Sequence, residues 1–302
     1  MISHTEARTA LLRSGYLLES RVEEAFRRRG YYVEANSVFP DGKTGTSREV
    51  DVYAMRADKA GPGDFDFLFT LFIVECVNNP EPLILITKRP QVGFLHHHEI
   101  KLSGLPVKFP DSKRRGAWIS FVDFLDLEGK HHYCQGRIAT QYCSFQQKRQ
   151  APQDWMAWHD EAHFDAFKKA CAAVEHKIAD HFGSWVVGAA EPVNVQLYYP
   201  VVVVQGELLE ALPSRNQVTL RSRPRLSLRR SEFVNGEERT YQVDVVREQH
   251  LARYLALVES ESARMTRLLR RRHKQVRRSI DSIARSARRL KSPKAIRKAL
   301  QF

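Results

Sequence analysis

The chain has 302 residues, 43% of them hydrophobic and 27% charged, which is the composition of a globular protein with one large or two smaller domains. No apolar run approaches the roughly 20 residues that cross a bilayer, and the first residues lack the pattern of a signal peptide, so we expect neither a membrane-spanning nor a secreted protein. The four cysteines are widely spaced without a C-x-x-C pair, which favours a reduced, cytoplasmic protein over a disulfide scaffold.

The net charge of +13 is concentrated near one end of the chain. From Arg264 to Phe302 there are 15 lysines and arginines and one acid, Asp281, whereas the preceding 263 residues are close to neutral. Solubility does not require this segregation, which is typical of a segment that binds a polyanion. We therefore divide the chain into an α/β domain at 1–260 and a basic helical tail at 261–302.

The first elements alternate between a helical and an extended pattern. Ser3 and Thr5 are N-cap residues for a long first helix, which Gly30 would end. A strand begins at Tyr31, and the run Glu49–Ala54 alternates between polar and apolar residues. The apolar stripe predicted for the first helix consists of Leu11, Gly15, Leu18, Val22, Ala25 and Phe26.

The most apolar segment of the chain is Phe67–Val77, which predicts a central strand covered on both faces. A helix is predicted from Asp160 to Phe182, and a last helix begins near Leu251 and continues into the tail. The helix at Asp160–Phe182 is expected to bury Phe164, Phe167, Cys171, Val174 and Ile178. Further strands are predicted at Leu83–Ile86, Ala117–Leu127, Arg137–Phe145, Val193–Val204 and Tyr241–Val246.

Three acidic residues occupy positions where a carboxylate is costly. Asp51 lies in a half-buried strand, Glu75 lies near the end of the central strand, and Glu19 borders the buried stripe of the first helix. Burying a carboxylate costs several kcal/mol unless a cation or hydrogen bonds compensate. If the helix packs on these strands, the three carboxylates converge into a site that suits Mg²⁺ or Mn²⁺.

This order of helix, strand and strand resembles the PD-(D/E)XK restriction-endonuclease-like superfamily of nucleases over roughly residues 15 to 77. The resemblance implies an α/β fold with a mixed central sheet flanked by helices. It also implies that Asp51, Glu75 and the carbonyl of Cys76 bind Mg²⁺ or Mn²⁺, with Glu19 supporting through water. The activity it implies is that of a metal-dependent endonuclease hydrolysing phosphodiester bonds in DNA.

One position departs from the family motif, because Val77 stands where the family has a lysine beside its carboxylate. Some members of the superfamily supply the lysine from another element. Lys88 is our first candidate and Lys101 a weaker one, although a hairpin at Asn78–Pro82 would carry Lys88 to the far end of the ladder. A non-catalytic nucleic-acid-binding protein with a degenerate site is the alternative interpretation.

The tail has the pattern of an amphipathic helix with a narrow apolar stripe and a wide cationic face. Arginine suits phosphate because its guanidinium donates two parallel hydrogen bonds. DNA is therefore the expected partner and RNA a second one, while anionic lipid, a partner protein or a homodimer stay open. The cations predicted to bind nucleic acid are Arg267, Arg270, Arg271, Arg272, Lys274, Arg277, Arg278, Arg285, Arg288 and Arg289.

Other groups of metal-ligating residues have weaker patterns. The H-x-E-x-H sequence of His159, Glu161 and His163 differs from the H-E-x-x-H of zinc proteases and favours a polar helix start. The run His96-His97-His98 favours a surface loop. A set of His131, His132, Cys134 and Cys143 matches no standard zinc-finger spacing.

Overall fold

The structure is a computed structural model that describes residues 2–13, 16–40, 45–89, 100–111, 113–148, 151–184, 192–234, 237–290 and 299. Within these ranges, only the backbone is described for residues 12–13, 151–153, 183–184 and 286–290. The helices are α1 (His4–Arg13), α2 (Tyr16–Arg27), α3 (Phe121–Phe124), α4 (Glu161–Ser184) and α5 (Leu251–Leu290). Among the described residues, no helix is long and apolar enough to span a membrane.

The strands occur in runs between these helices. They are β1 (Tyr32–Pro40), β2 (Ser47–Lys59), β3 (Phe67–Val77), β4 (Leu83–Lys88), β5 (Lys101–Ser103), β6 (Lys108–Pro110), β7 (Trp118–Ser120), β8 (Ile138–Lys148), β9 (Ala151–Trp158), β10 (Asn194–Val204), β11 (Leu208–Pro213), β12 (Val218–Ser222), β13 (Arg225–Val234) and β14 (Glu237–Arg247).

The fold is α/β, with one large mixed sheet flanked by helices and a long C-terminal helix. The strand order is β1-β2-β3-β10-β14-β13-β8-β4-β11-β12, with β5 added to β10 and β9 added to β8. The β1–β2–β3 meander is antiparallel, whereas β3, β10 and β14 run parallel to one another. Strands β6 and β7 form a separate hairpin.

The two faces of β3 are covered by different helices. Phe72 stacks edge-on against Phe26 of α2, and the Thr70 hydroxyl donates to Ser262 of α5. Alternate residues of a strand face opposite sides, so the odd-numbered residues of β3 face α4 instead. Since both faces are covered, the predicted central strand at Phe67–Val77 is confirmed with its bounds.

Several other predictions need correction. The segment Ala117–Leu127 is not one strand, because Ser120 and Asp123 form a capping box that starts the short helix α3. The first helix is described as α1 and α2, while Gly15 of the predicted stripe lies outside the described residues. Phe164 is 45% exposed on α4 rather than buried. Sequence reasoning also missed β9 and β11–β13.

The parallel pair β3–β10 continues into the parallel pair β4–β11 through a shared bend. Leu83 N–H donates to the carbonyl of Glu207 at 2.9 Å, and Gly206 N–H donates to Asn79 Oδ1 at 2.9 Å. A Cβ on Gly206 would lie 2.2 Å from the Asn79 carbonyl oxygen, so only glycine fits there. The bend carries β4 away from the end of β3, and the two strands are not paired with each other.

The described part of the basic segment packs on the core instead of forming a separable arm. The predicted boundary between residues 260 and 261 falls inside α5. Met265, Leu269, Val276 and Ile280 of this helix are 0–3% exposed and belong to the main hydrophobic cluster. The apolar stripe predicted for the tail is therefore the face of α5 that packs on the core, and the cations lie on the rest of the helix surface.

Candidate active site

The predicted carboxylates meet where β2 and β3 approach the same end of the sheet. Val52 pairs with Val74 in the antiparallel ladder, so Asp51 and Glu75 are the next residues opposite each other and share one face. The backbone N–H of Cys76 donates to Asp51 Oδ2 at 2.6 Å. Because N–H and C=O of one strand residue point to the same side, the Cys76 carbonyl also faces β2.

Lys169 of α4 supplies the cation that Val77 does not. Its Nζ lies 2.6 Å from Glu75 Oε2, an ion pair in which the lysine side chain is 26% exposed and the glutamate 4%. The neighbouring carboxylates, Glu75 first, outweigh burial and raise the pKa of Lys169, so it remains an ammonium at neutral pH. A lysine from a flanking helix thus takes the place beside the strand carboxylate.

Glu75 is the most strongly perturbed of the carboxyls. Burial, together with repulsion from Asp51, raises its pKa to about 8 from an ordinary value of 4.5, and Lys169 offsets only part of this shift. Its Oε1 atom is buried without a hydrogen-bond partner among the described residues. A desolvated carboxylate oxygen without a donor is the group that a bound cation would satisfy.

The carboxyl groups of the cluster resist ionisation, because they are buried and repel one another. Burial, with Asp51 next, raises the pKa of Glu19, and burial likewise raises the pKa of Asp51 against the hydrogen bond from Cys76. Glu49, two residues before Asp51 on the same face of β2, adds to the repulsion. The sequence predicted that Glu19, Asp51 and Glu75 converge, but among the described residues these three carboxylates do not bring ligand atoms within 4.8 Å of one another. A metal here would therefore rest on Asp51, Glu75 and the Cys76 carbonyl, beside the ammonium of Lys169.

Neither lysine proposed from the sequence lies at this cluster. Lys88 is exposed at the end of β4 and pairs through its backbone with Ile138, beyond the bend that separates β4 from β3. Lys101 lies on β5 with its Nζ 4.3 Å from the centre of the Tyr241 ring. The contact with Glu75 that was predicted for Lys88 is made by Lys169.

Lys169 carried a recognisable signal that sequence reasoning missed. It lies three residues after Ala166 and four before Ala173, both nearly fully buried, which places it on the same helical face as these small residues. Small residues allow the helix to approach the sheet closely. A lone lysine within an alanine-lined buried face needs a carboxylate partner, and Glu75 is that partner.

A second group of ligand-type residues lies deep in the core. His131, His132 and Glu261 place ligand atoms within 4.8 Å of one another. His132 Nδ1 lies 2.7 Å from Glu261 Oε2 and its Nε2 lies 2.8 Å from Asp244 Oδ2. Burial lowers the pKa of His132, but these two carboxylates outweigh it, so the pKa is raised. Both ring nitrogens therefore donate to carboxylates and are not available to a metal. His132 is better explained as a structural bridge between Asp244 and Glu261 than as a metal ligand.

The remaining histidine and cysteine patterns form no metal site among the described residues. Cys134 and Cys143 do not join His131 and His132 in that group, and none of the four cysteines forms a disulfide. His163 Nδ1 lies 3.0 Å from Asp160 Oδ2 at the start of α4, in keeping with a polar helix start. The run His96–His98 lies outside the described residues.

The predicted nucleic-acid-binding cations divide into two kinds. Four contact the protein itself: Arg270 donates to the Lys59 carbonyl, Arg272 to the Phe124 carbonyl, Arg285 to the Asp281 carbonyl, and Arg277 pairs with the Asp281 side chain. Arg267, Arg271, Lys274 and Arg278 are exposed and have no partner among the described residues. The side chains of Arg288 and Arg289 lie outside the described residues.

No family model, curated protein or solved structure matches this chain. The site therefore stands on its own geometry.

Proposed function

We propose that this protein is a metal-dependent nuclease of restriction-endonuclease-like fold that hydrolyses phosphodiester bonds in DNA. One observation carries the proposal. Glu75, buried and with one oxygen lacking a donor, lies opposite Asp51 and is ion-paired at 2.6 Å to Lys169. Two strand carboxylates and a lysine at one end of a sheet supply the groups that phosphodiester hydrolysis requires.

Asp51, Glu75 and the Cys76 carbonyl would hold Mg²⁺ or Mn²⁺, because Asp51 reaches the backbone of Cys76 and Glu75 is the next residue of β3, opposite Asp51. A metal bound there lowers the pKa of water and offsets negative charge on the phosphate. Glu19 contributes at longer range, since it shares the field of Asp51 without an observed direct contact.

Lys169 acts as a cation and hydrogen-bond donor rather than as a general base. Its raised pKa keeps the proton on Nζ, so the group can orient a water molecule and stabilise negative charge that develops on phosphate. The cations of α5 attract the substrate electrostatically but take no part in the chemistry. The same residues without catalysis would make a nucleic-acid-binding protein, which is the competing outcome of the test.

The test is a cleavage assay on double-stranded DNA, single-stranded DNA and RNA with Mg²⁺ or Mn²⁺. Asp51→Asn and Glu75→Gln should abolish metal-dependent cleavage while leaving DNA binding in EDTA intact. Lys169→Met should lower the rate by about 10² to 10³, the usual effect of removing one positioned hydrogen-bond donor. Lys168→Met, one residue along α4, and Lys88→Ala are matched controls that should cut normally.

Two outcomes would overturn the proposal. Absence of cleavage of every substrate by the wild type would leave the binding-only interpretation. Cleavage that survives Glu75→Gln at the wild-type rate would place the chemistry elsewhere.

A further inference from the structure

A basic groove lies between α5 and the β6–β7 hairpin, at the opposite end of β3 from the carboxylates. It has a volume of about 1170 Å³, and its walls include Gly61 and Pro62, which precede β3. The groove contains a single acid, Asp111, among its lining residues. Its cations are Lys108, Arg270, Arg271, Arg272, Lys274 and Arg278.

Four of these cations are available to a ligand. Lys108, Arg271, Lys274 and Arg278 are exposed, and the described residues offer their side chains no partner. The three from α5 are spaced by three and four residues, so they form one stripe that rises about 10 Å along the helix. Unpaired like charges this close together repel, and a polyanion that bridges them relieves the repulsion.

The walls of the groove are held in place by contacts that do not use these four cations. Arg270 donates to the Lys59 carbonyl at 2.6 Å, and Gln275 donates to the Pro110 carbonyl at 3.1 Å. His273 Nε2 lies 2.9 Å from Asp66 Oδ2. A Cβ on Gly61 would lie 2.4 Å from the His273 ring, so glycine lets the loop close against the helix.

Trp118 adds an aromatic surface to the charged wall. It lies on β7, opposite Pro110, and is 64% exposed although it lines the groove. Exposing an indole costs free energy unless something stacks on it. Aromatic rings beside a cationic track bind the faces of unpaired bases, which a continuous duplex keeps stacked on one another.

The groove cannot contact the same phosphate as the carboxylate cluster. Glu75 lies eight positions along β3 from Phe67, which is at the groove end, a distance of about 26 Å in an extended strand. Ser262 and Thr70 further show that α5 covers the face of β3 opposite to that of Lys169. The groove is thus a separate binding site.

We infer that this groove binds single-stranded nucleic acid, with phosphates on Lys108, Arg271, Lys274 and Arg278 and a base stacked on Trp118. The inference rests on the proposed nucleic-acid function but not on catalysis. It assigns to the nuclease a substrate with an unpaired segment, such as an end, a flap or a displaced strand.

The test measures binding of the full chain in EDTA to a fluorescent oligothymidine of about 20 nucleotides and to a duplex of the same length, by anisotropy. Trp118→Ala should weaken single-strand binding by about 5- to 150-fold, the range for losing one stacking residue, and leave duplex binding unchanged. Trp118→Phe should restore it. Trp155→Ala is the matched control, since Trp155 is 50% exposed on β9 and does not line the groove.

The electrostatic part is tested by salt dependence. The double variant Arg271→Ala/Lys274→Ala should flatten the log-log salt slope for oligothymidine by about 1.4, because each single-strand phosphate contact contributes about 0.7. Polyglutamate at matched charge should compete poorly.

The inference is overturned if Trp118→Ala binds oligothymidine as the wild type does. It is also overturned if Trp118→Phe binds oligothymidine no better than Trp118→Ala does, or if Trp118→Ala loses as much affinity for the duplex as for oligothymidine. Competition by polyglutamate as strong as that by oligothymidine would overturn it as well, because that result is expected of a site for an acidic protein. Cleavage is not measured, so these outcomes are independent of the nuclease proposal: an inactive enzyme can still bind through Trp118, and an active one can lack this site.

Discussion

The buried carboxyl of Glu75 should make the stability of the metal-free protein fall as pH rises through the neutral range. Burial raises its pKa to about 8 in the folded state, whereas the ordinary value is 4.5. A carboxyl with a raised folded-state pKa binds its proton more tightly in the folded than in the unfolded chain. The free energy of unfolding therefore decreases as pH rises between those two values.

The size of the effect follows from the same two pKa values. Between about pH 5.5 and about pH 8.5, ionisation of Glu75 should remove about 3 kcal/mol of stability, a large part of the 5–15 kcal/mol typical of a domain. The Glu75→Gln variant has no carboxyl at this position, so its free energy of unfolding should fall by about 3 kcal/mol less than that of the wild type over this range. Groups distant from Glu75 are present in both proteins and cancel in the comparison, whereas Asp51, Glu19 and Lys169 interact with Glu75, so the measured difference belongs to this coupled cluster.

Urea unfolding in EDTA at both pH values measures this difference. Glu128→Gln is the control, because Glu128 is exposed in the turn after α3 and should follow the wild type. Adding Mg²⁺ or Mn²⁺ at the higher pH should restore stability to the wild type and not to Glu75→Gln, since a cation compensates the ionised carboxylate. Equal pH dependence in the wild type and Glu75→Gln would refute the assignment of a perturbed buried carboxyl.

Three further predictions concern the source of the lysine, the first-helix acid and the tail. In a cleavage assay, Val77→Lys should partly rescue Lys169→Met, because residue 77 lies on the same face of β3 as Glu75; no rescue would mean that Lys169 is needed for packing. Glu19→Ala should reduce cleavage less than Glu75→Gln does, and an equal loss would make Glu19 a direct metal ligand. Deleting Arg264–Phe302 should abolish cooperative unfolding seen by circular dichroism, since each buried apolar side chain of α5 contributes about 1.5–3 kcal/mol; a stable truncated protein would show that α5 is dispensable for folding.

The sequence predicted those features that depend on local periodicity. The unbroken apolar run of β3 and the alternation of β2 identified two neighbouring strands, and the register then required Asp51 and Glu75 to share a face. The missed strands β11–β13 lie at or beyond the bend at Gly206, where chain direction depends on long-range contacts and not on local pattern. The strand expected at Ala117–Leu127 failed because a capping box overrode its β-branched and aromatic content.

The lysine shows most clearly where inference from local pattern ends. Lys88 was favoured because it follows the motif strand closely in sequence, but a bend of five residues carries it away from the carboxylates. Lys169 is more than 90 residues from Glu75 along the chain and reaches it because α4 packs through alanines onto the odd-numbered face of β3. A buried carboxylate needs a cation that is close to it in space, and that cation can be distant in sequence. Searching the buried faces of predicted helices for a lone lysine is therefore the better rule for finding its partner.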